Sequence, residues 1–559
     1  MEKYKYKNQI LLRGGRVADP DKKYLSYADV LIGKDGIIKK VTDGIDYEYG
    51  TLVVECYGCV IAPGFVDAHV HIESSMVLPR AFSRAVMRQG TTTVIADPHE
   101  VVNVAGARGL RRFLDETDKA GIGIYTVIPS CVPATGLDTN GAGKFTAAGM
   151  KEFLDDKRIV GLGEVMDFYS VANKDPEMME KLALFKGRTI DGHTVGMPSG
   201  MLDAYVAAGI SNDHECSDAA SMLERYEKGM DIYIREGSAA HNAKELLQCI
   251  KDNGLDLSRF AFCTDDKHLS TIASEGHIST IVRMALDMGF SWPDVVRMAS
   301  YNPCRFYGIE SRGLVREGYK ADIVLCDEAC NNIYRVIKDG NIAYTGSSDN
   351  PDYNYLDESS ASEDLWENTV RFKDLSAEDF RLPDNLRNIA IGLNEGQLLT
   401  DKIENADPQD KDVCLLATVE RYGKNGNMAV CLLKGYGIRD GAVATSVSHD
   451  SHNVVCAGDN PSDMAAACNR LKEIGGGYVI VSRGEIKGEF PLPAYGLMSC
   501  LDAGQAATEL ARLEEIAHGL GVNPRIDAFI TLSFTALPVI PRLRLLDTGL
   551  YDVIEQRFV

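Results

Sequence analysis

Residues 8 to about 60 alternate apolar and polar positions in short runs. QILLRGGRVAD, ADVLIGKDGIIKKV and TLVVECYGCVIAPG are broken by Gly-Gly, Lys-Asp-Gly and Tyr-Gly turns, which predicts short strands of a small β-domain. The same pattern returns at 312 to 346, in RGLVREGYKADIVLCDE and IYRVIKDGNIAYTG. Segments 1–60 and 311–346 are therefore expected to form one composite β-sandwich domain with the intervening chain inserted into it. Within 61–310 the pattern changes. A mostly apolar run at 61–66 and strand-like runs at 90–98, 121–130, 158–166, 188–196, 208–215, 230–238 and 260–266 alternate mostly with amphipathic stretches such as FSRAVMRQ and ARGLRRFLDETDKA. The apolar run at 61–66 suits a strand buried on both faces, and repeated βα units argue for a parallel sheet. About eight βα units over roughly 250 residues match a closed TIM-like (β/α)8 barrel. An open doubly wound sheet would favour a glycine-rich phosphate turn after the first strand, and none is present there.

Beyond the barrel, GSSDNPDYNYLDESSASEDL is acidic and Ser-rich, so 347–369 reads as a linker or surface loop. From 370 to 559, strand patterns (VCLLATVERY, NMAVCLLKG, GYVIVSRG) flank helical ones (DMAAACNRLKEIGG, AGQAATELARLEEIAHGLG), predicting a C-terminal α+β domain. The fold class expected is thus α/β: a barrel inserted in a small β-sandwich, followed by an α+β domain. Gly475 to Gly477 reads as a helix end rather than a phosphate loop, because no Lys-Ser/Thr follows.

Composition narrows the partners. The 559 residues carry a net charge of −22, which argues against nucleic acid or an anionic membrane as the main partner. The opening MEKYKYKNQILLRGG has no apolar stretch of signal-peptide length, and no long apolar run suggests a membrane span. A cytoplasmic location is expected. The 14 cysteines are scattered, as reduced thiols would be; Cys56 and Cys59 read as hairpin residues.

The candidate chemistry sits at the strand ends. His69 and His71 follow the first barrel strand; Asp97, His99 and Glu100 the second; Glu164 the fourth; His193 the fifth; His214 the sixth; Asp265 the eighth. Side chains at i and i+2 of a strand share a side, so His69 and His71 can hold one ion. The C-terminal strand ends of a barrel open on one face, where active sites are built. Four histidines with carboxylates suit zinc, manganese or iron and exceed what one tetrahedral ion needs. His69, His71 and Asp265 can hold one ion and His193 and His214 a second, with Glu164 bridging. Two such ions activate water for hydrolytic attack on an sp² carbon, with Asp265 as the proton acceptor. Asp97, His99 and Glu100 form a second polar cluster. Its members either bond the substrate, Glu100 foremost, or orient the metal ligands. The stretch HDSHN carries His449 and His452 on an expected loop, readable as a cap over the barrel mouth or as a second metal site.

The H-x-H, the histidines after strands five and six, and the Asp after strand eight resemble the amidohydrolase superfamily. More narrowly, GFVDAHVHIESSMVLP, GTTTVIADPHEVVNVAG, GLGEVMDF, DGHTVG, SNDHE and HDSHN resemble the bacterial adenine deaminase family across nearly the whole chain. That resemblance implies conversion of adenine and water to hypoxanthine and ammonia with two divalent ions, Mn2+ or Fe2+, Zn2+ being admissible. It carries His69, His71, Glu164, His193, His214 and Asp265 over as metal positions, and it implies a homodimer or larger assembly. Many superfamily members bridge their metals with a carboxylated lysine after strand four. Here that segment offers Glu164 and no lysine, as the adenine deaminases do. The competing readings are another amidohydrolase acting on a cyclic amide or amidine, dihydropyrimidinase-like or guanine-deaminase-like, and a non-catalytic scaffold of the same fold.

Overall fold

The structure, a computed structural model, describes residues 8–238, 240–346, 366–395 and 397–559. Most of the acidic stretch expected as a linker, 347–365, lies outside the described residues.

The eight barrel strands are Phe65–Val70, Thr91–Ala96, Gly123–Ile128, Ile159–Val165, Thr189–Gly192, Asn212–Asp213, Asp231–Arg235 and Phe260–Cys263. The first five run parallel in sequence order, and so do the last three. Backbone bonds join the two sets into a ring. Ser211 N–H donates to Ile190 O at 3.0 Å, and Val70 bridges Asp265 with Asp265 N–H donating to His69 O at 3.0 Å. The alternation of the strand is visible on the seventh. Ile232 and Ile234 pack outward with Phe260 and Phe262 beneath the helices, while Tyr233 fills the barrel interior with Val66, Ala68, Ile95 and Val127. The helix Ala243–Asn253 supplies the matching outer face through Ala243, Leu246, Leu247 and Ile250, a spacing of three and four residues. It stops at Gly254, whose φ of +57° ends the helix in the left-handed region.

The first strand departs from regular pairing. Its register with the second strand slips between Asp67 and Val70. Such irregularities re-aim side chains at barrel rims. Asp67 faces the wall, accepting from Thr264 N–H at 3.1 Å and lying 3.2 Å from His277 Nε2, whereas His69 and His71 reach into the mouth.

Strands from both sides of the barrel share one eight-stranded sheet. Its junction is Val60–Pro63, which enters the barrel, paired antiparallel with Ile323–Cys326, which leaves it; Val60 opposes Cys326 and Pro63 opposes Ile323. Ile10, Leu12, Val30, Val54, Ile61 and Ile323 lie in its core.

The C-terminal region holds a second eight-stranded sheet, all of its pairs antiparallel except Ile389–Leu393 with Met428–Lys434. The helix Pro461–Glu473 packs on one face through Met464, Ala467, Cys468 and Leu471. The helix Ala503–Gly519 belongs to another core, which runs without a break from Tyr478, Leu497 and Phe529 into Phe82, Val101, Leu269 and Ile272 of the barrel. Barrel and C-terminal region are therefore welded by apolar burial. That weld brings the turn from Ser448 to His452 over the strand ends.

Candidate metal centre

Glu164 is the hub of the mouth. It is the penultimate residue of the fourth strand rather than a residue beyond it, and it is buried. Its Oε1 lies 2.9 Å from His71 Nε2 and 3.2 Å from His69 Nε2; its Oε2 lies 2.6 Å from His193 Nδ1 and 3.6 Å from His214 Nε2. The two oxygens thus face two different histidine pairs. Asp265 closes the first set, its Oδ1 3.0 Å from His71 Nε2 and its Oδ2 3.0 Å from Arg235. Its backbone sits at φ +59°, a left-handed turn directly past the eighth strand. All six candidate ligands are brought together.

Electrostatics here are those of a compensated cluster. Burial pushes the Glu164 carboxyl up, but hydrogen bonds from His193, His69 and His71 outweigh it and hold the group well below its ordinary range. Burial likewise lifts Asp265, and the His71 hydrogen bond with the charge of Arg235 brings it well below. Burial pulls His69 down, yet its bonds to Asp191 and Glu164 raise it to about 10.

The donor set fits a divalent cation. His69 Nε2 and His71 Nε2 face each other at 3.2 Å. Two such nitrogens share at most one proton, but both can direct lone pairs at one ion, and this is about the separation of two imidazoles each about 2.1 Å from it. His193 Nε2 and both nitrogens of His214 are buried with no hydrogen-bond partner, a costly state unless something satisfies them. His69, Glu164, His214 and Asp265 each offer a ligand atom within 4.8 Å of the others, and His193, His214 and Glu215 form an adjoining set.

Several supporting residues escaped the sequence reading. Asp191 Oδ2 approaches His69 Nδ1 at 3.6 Å, Tyr205 takes the His193 N–H at 2.9 Å, and Arg235 ties Asp265 to Glu215. Glu215 stood beside His214 in SNDHE. Arg235 sits at the end of the seventh strand, and position relative to the other strand ends was the signal that could have found it.

Asp97, His99 and Glu100 lie beside this centre. Asp97 Oδ2 accepts the Glu164 N–H at 3.0 Å, and its carbonyl oxygen pairs with His71 Nδ1 at 2.9 Å. Burial lifts its carboxyl to about 6, against the pull of His99. His99 Nδ1 is 3.6 Å from Glu164 Oε1, while Nε2 is 3.3 Å from Glu100 Oε1. Glu100 heads the helix His99–Thr117, and both its oxygens are taken from the C-terminal region, Oε1 by His449 Nδ1 and Oε2 by His452 Nε2. Asp450 Oδ1 stands 3.6 Å from His99 Nε2.

Comparison with known proteins follows the same division. The family described as "Amidohydrolase family" matches residues 60–345, and "Adenine deaminase C-terminal domain" matches residues 395–557. An adenine deaminase of Desulfitobacterium hafniense (strain Y51) is 39% identical over 99% of this chain and 96% of its own. Adenine deaminase 2 of Carboxydothermus hydrogenoformans is 40% identical over 91% of this chain and 90% of its own. A crystal structure of an adenine deaminase superposes with a TM-score of 0.46 at 16% identity, covering 60% of this chain and 100% of that one.

Proposed function

This chain belongs to the adenine deaminases of the amidohydrolase family, and from that premise we infer that the buried cluster around Glu164 is where adenine is hydrolysed to hypoxanthine and ammonia. The observation that carries the assignment is the split of Glu164, one oxygen toward His69 and His71 and the other toward His193 and His214. His69, His71 and Asp265 would hold one divalent ion, His193 and His214 a second, with Glu164 shared. Manganese or iron suits this mixture of imidazole and carboxylate, and zinc is compatible with it. Such ions, when bound, lower the pKa of water and polarise it for attack.

The chain's own residues handle the protons. Asp265 Oδ1 accepts the proton released as the water oxygen bonds to C6 of adenine. Arg235 on Oδ2 keeps that carboxylate aimed. Asp265 passes that proton to N6, the remaining hydroxyl proton ends on the ring as the C6 carbonyl forms, and the C6–N6 bond breaks to release ammonia. Asp97 holds the Glu164 backbone and His71, so it positions the ligands; His99, whose Nδ1 faces Glu164, is placed to bond a ring nitrogen of the substrate, whereas Glu100, expected as the foremost substrate contact, has both oxygens engaged by His449 and His452. Arg235 is engaged by Glu215 and Asp265 and is not free to take a phosphate, which supports a free base over a nucleotide.

Among the described residues no helix is long and apolar enough to cross a membrane, and all 14 cysteines are free thiols. Both support the cytoplasm as its compartment. The family premise supports a homodimer, which sedimentation would test. Ammonia release from adenine, adenosine and AMP by manganese- or iron-loaded protein tests the substrate. Turnover of adenine with the other two much slower is expected. An enzyme indifferent to adenine that opens a dihydropyrimidine ring would overturn the adenine assignment.

A further inference from the structure

We propose that the Ser448–His452 turn of the C-terminal region is part of the active site, with His449 and His452 as positioning residues that clamp Glu100 and, through it, aim His99 at the metal centre. The inference rests on the reading of that centre as the site of adenine hydrolysis.

Hydrogen bonding decides what the turn does. Ser448 N–H donates to Nδ1 of His452 at 3.0 Å, which leaves the ring proton on Nε2. His452 therefore donates to Glu100 Oε2, and Glu100 accepts as a carboxylate. His449 Nδ1 engages the other oxygen. A ring whose lone pair already accepts a backbone N–H cannot offer its protonated nitrogen to a cation. This bars His452 from the adjoining grouping of His99, Glu100, His449 and Asp450, which lies close enough to surround an ion; with both Glu100 oxygens engaged by the turn, that grouping is read as a hydrogen-bonded clamp.

The turn is built to hold still. The His449 ring stacks on Phe534 with centroids 4.6 Å apart, and the His449 backbone N–H donates to Ser533 O at 3.0 Å. The next residue along, Asn453, reaches across to the barrel loop and donates to Thr139 O at 2.8 Å. Glu100 and Asp450, one from each side of the interface, flank Nε2 of His99 at 3.3 and 3.6 Å. That orientation leaves His99 Nδ1 buried, without a hydrogen-bond partner and facing Glu164. An unpartnered polar atom beside the ligands is where a substrate nitrogen would be met. Unaided, the Glu100 side chain has several rotamers; with both oxygens held it has one.

Amide side chains test the clamp. Asn can place its Nδ2 donor where His449 Nδ1 lies, and Gln its Nε2 donor where His452 Nε2 lies. In the full-length, manganese-loaded enzyme, His449→Ala and His452→Ala should each lose about 10- to 100-fold in kcat, the usual cost of removing an outer partner, with bound metal near wild type and a Tm lower by a few degrees, because an oxygen of the buried Glu100 carboxylate loses its partner. His449→Asn and His452→Gln should recover most of that loss. Alanine variants within twofold of wild type would overturn the proposal. So would amide variants as slow as the alanine ones, or a parallel loss of bound ions, which would make the rings metal ligands. A wild type that released no ammonia from adenine would overturn the reading beneath, and the proposal with it.

Discussion

Two side chains carry most of the consequence at the level of single residues. Asp265 joins His71 on one oxygen and Arg235 on the other, so Asp265→Asn keeps the shape and removes the basicity. Turnover should fall by about 10²- to 10⁴-fold, the range of a lost general base, while elemental analysis shows a smaller fall in bound metal. Glu164→Gln should weaken metal retention and activity together, and added bicarbonate should restore neither. Bicarbonate dependence of the wild type would point to a carboxylated lysine instead. That His69, His71, His193, His214 and Asp265 meet in one mouth was legible because each lies at or just past the end of a barrel strand, so a position in the sequence became a position in space. Their partners were not. Asp191 and Asp450 act through contacts with residues 122 and 351 positions away, which no local pattern encodes, whereas Arg235 was marked only by its place at the end of the seventh strand. The serine hydrogen bond that settles the His452 tautomer is equally invisible in HDSHN.

At the level of elements, the fourth strand has the tightest tolerance. A Cβ on Gly163 would lie 2.2 Å from Asp97 Oδ2, and Asp97 is wholly buried with its carboxylate on the Glu164 N–H. Gly163→Ala should therefore displace Asp97 and loosen Glu164. Lower metal content after dialysis and a Tm several degrees below wild type are expected, since unpairing a buried carboxylate costs on the order of 1–3 kcal/mol; an unchanged Tm and full metal would contradict the strand's role. The barrel strands were readable from the repeated alternation of strand-like and amphipathic runs, but the first was read at 61–66, where Val60–Pro63 belongs to the flanking sheet and the barrel strand is Phe65–Val70. The sixth was read as 208–215 but spans only Asn212–Asp213, because apolar residues ahead of a strand look like the strand itself. The order of the C-terminal sheet could not be read at all, since alternation marks a strand without naming its neighbours.

At the level of the whole molecule, barrel and C-terminal region share one core through Phe82, Val101, Leu269, Tyr478, Leu497 and Phe529. A fragment ending at Gly346 would expose the barrel side of that core and lose both partners of Glu100. It should be aggregation-prone, and any soluble fraction should bind metal without turning over adenine. Removal of metal from the intact chain by a chelator should lower Tm, because ions that bind only the folded state stabilise it by mass action. A Tm indifferent to chelation would argue that the ligands are held by protein contacts alone. One feature of the fold also governs how the molecule would respond to being pulled. The chain enters the barrel at Val60 and leaves at Cys326, and these two residues oppose each other at the same end of one antiparallel pair. Tension applied through Cys59 and Asp327 would reach the Val60–Cys326 rung first and the Pro63–Ile323 rung last, so the hydrogen bonds would be loaded one after another like the teeth of a zip. A sheet pulled along its strands bears load on all rungs together; this one does not. The barrel's clasp should open at low force in an optical trap, before the strands that carry the Glu164 cluster feel any tension.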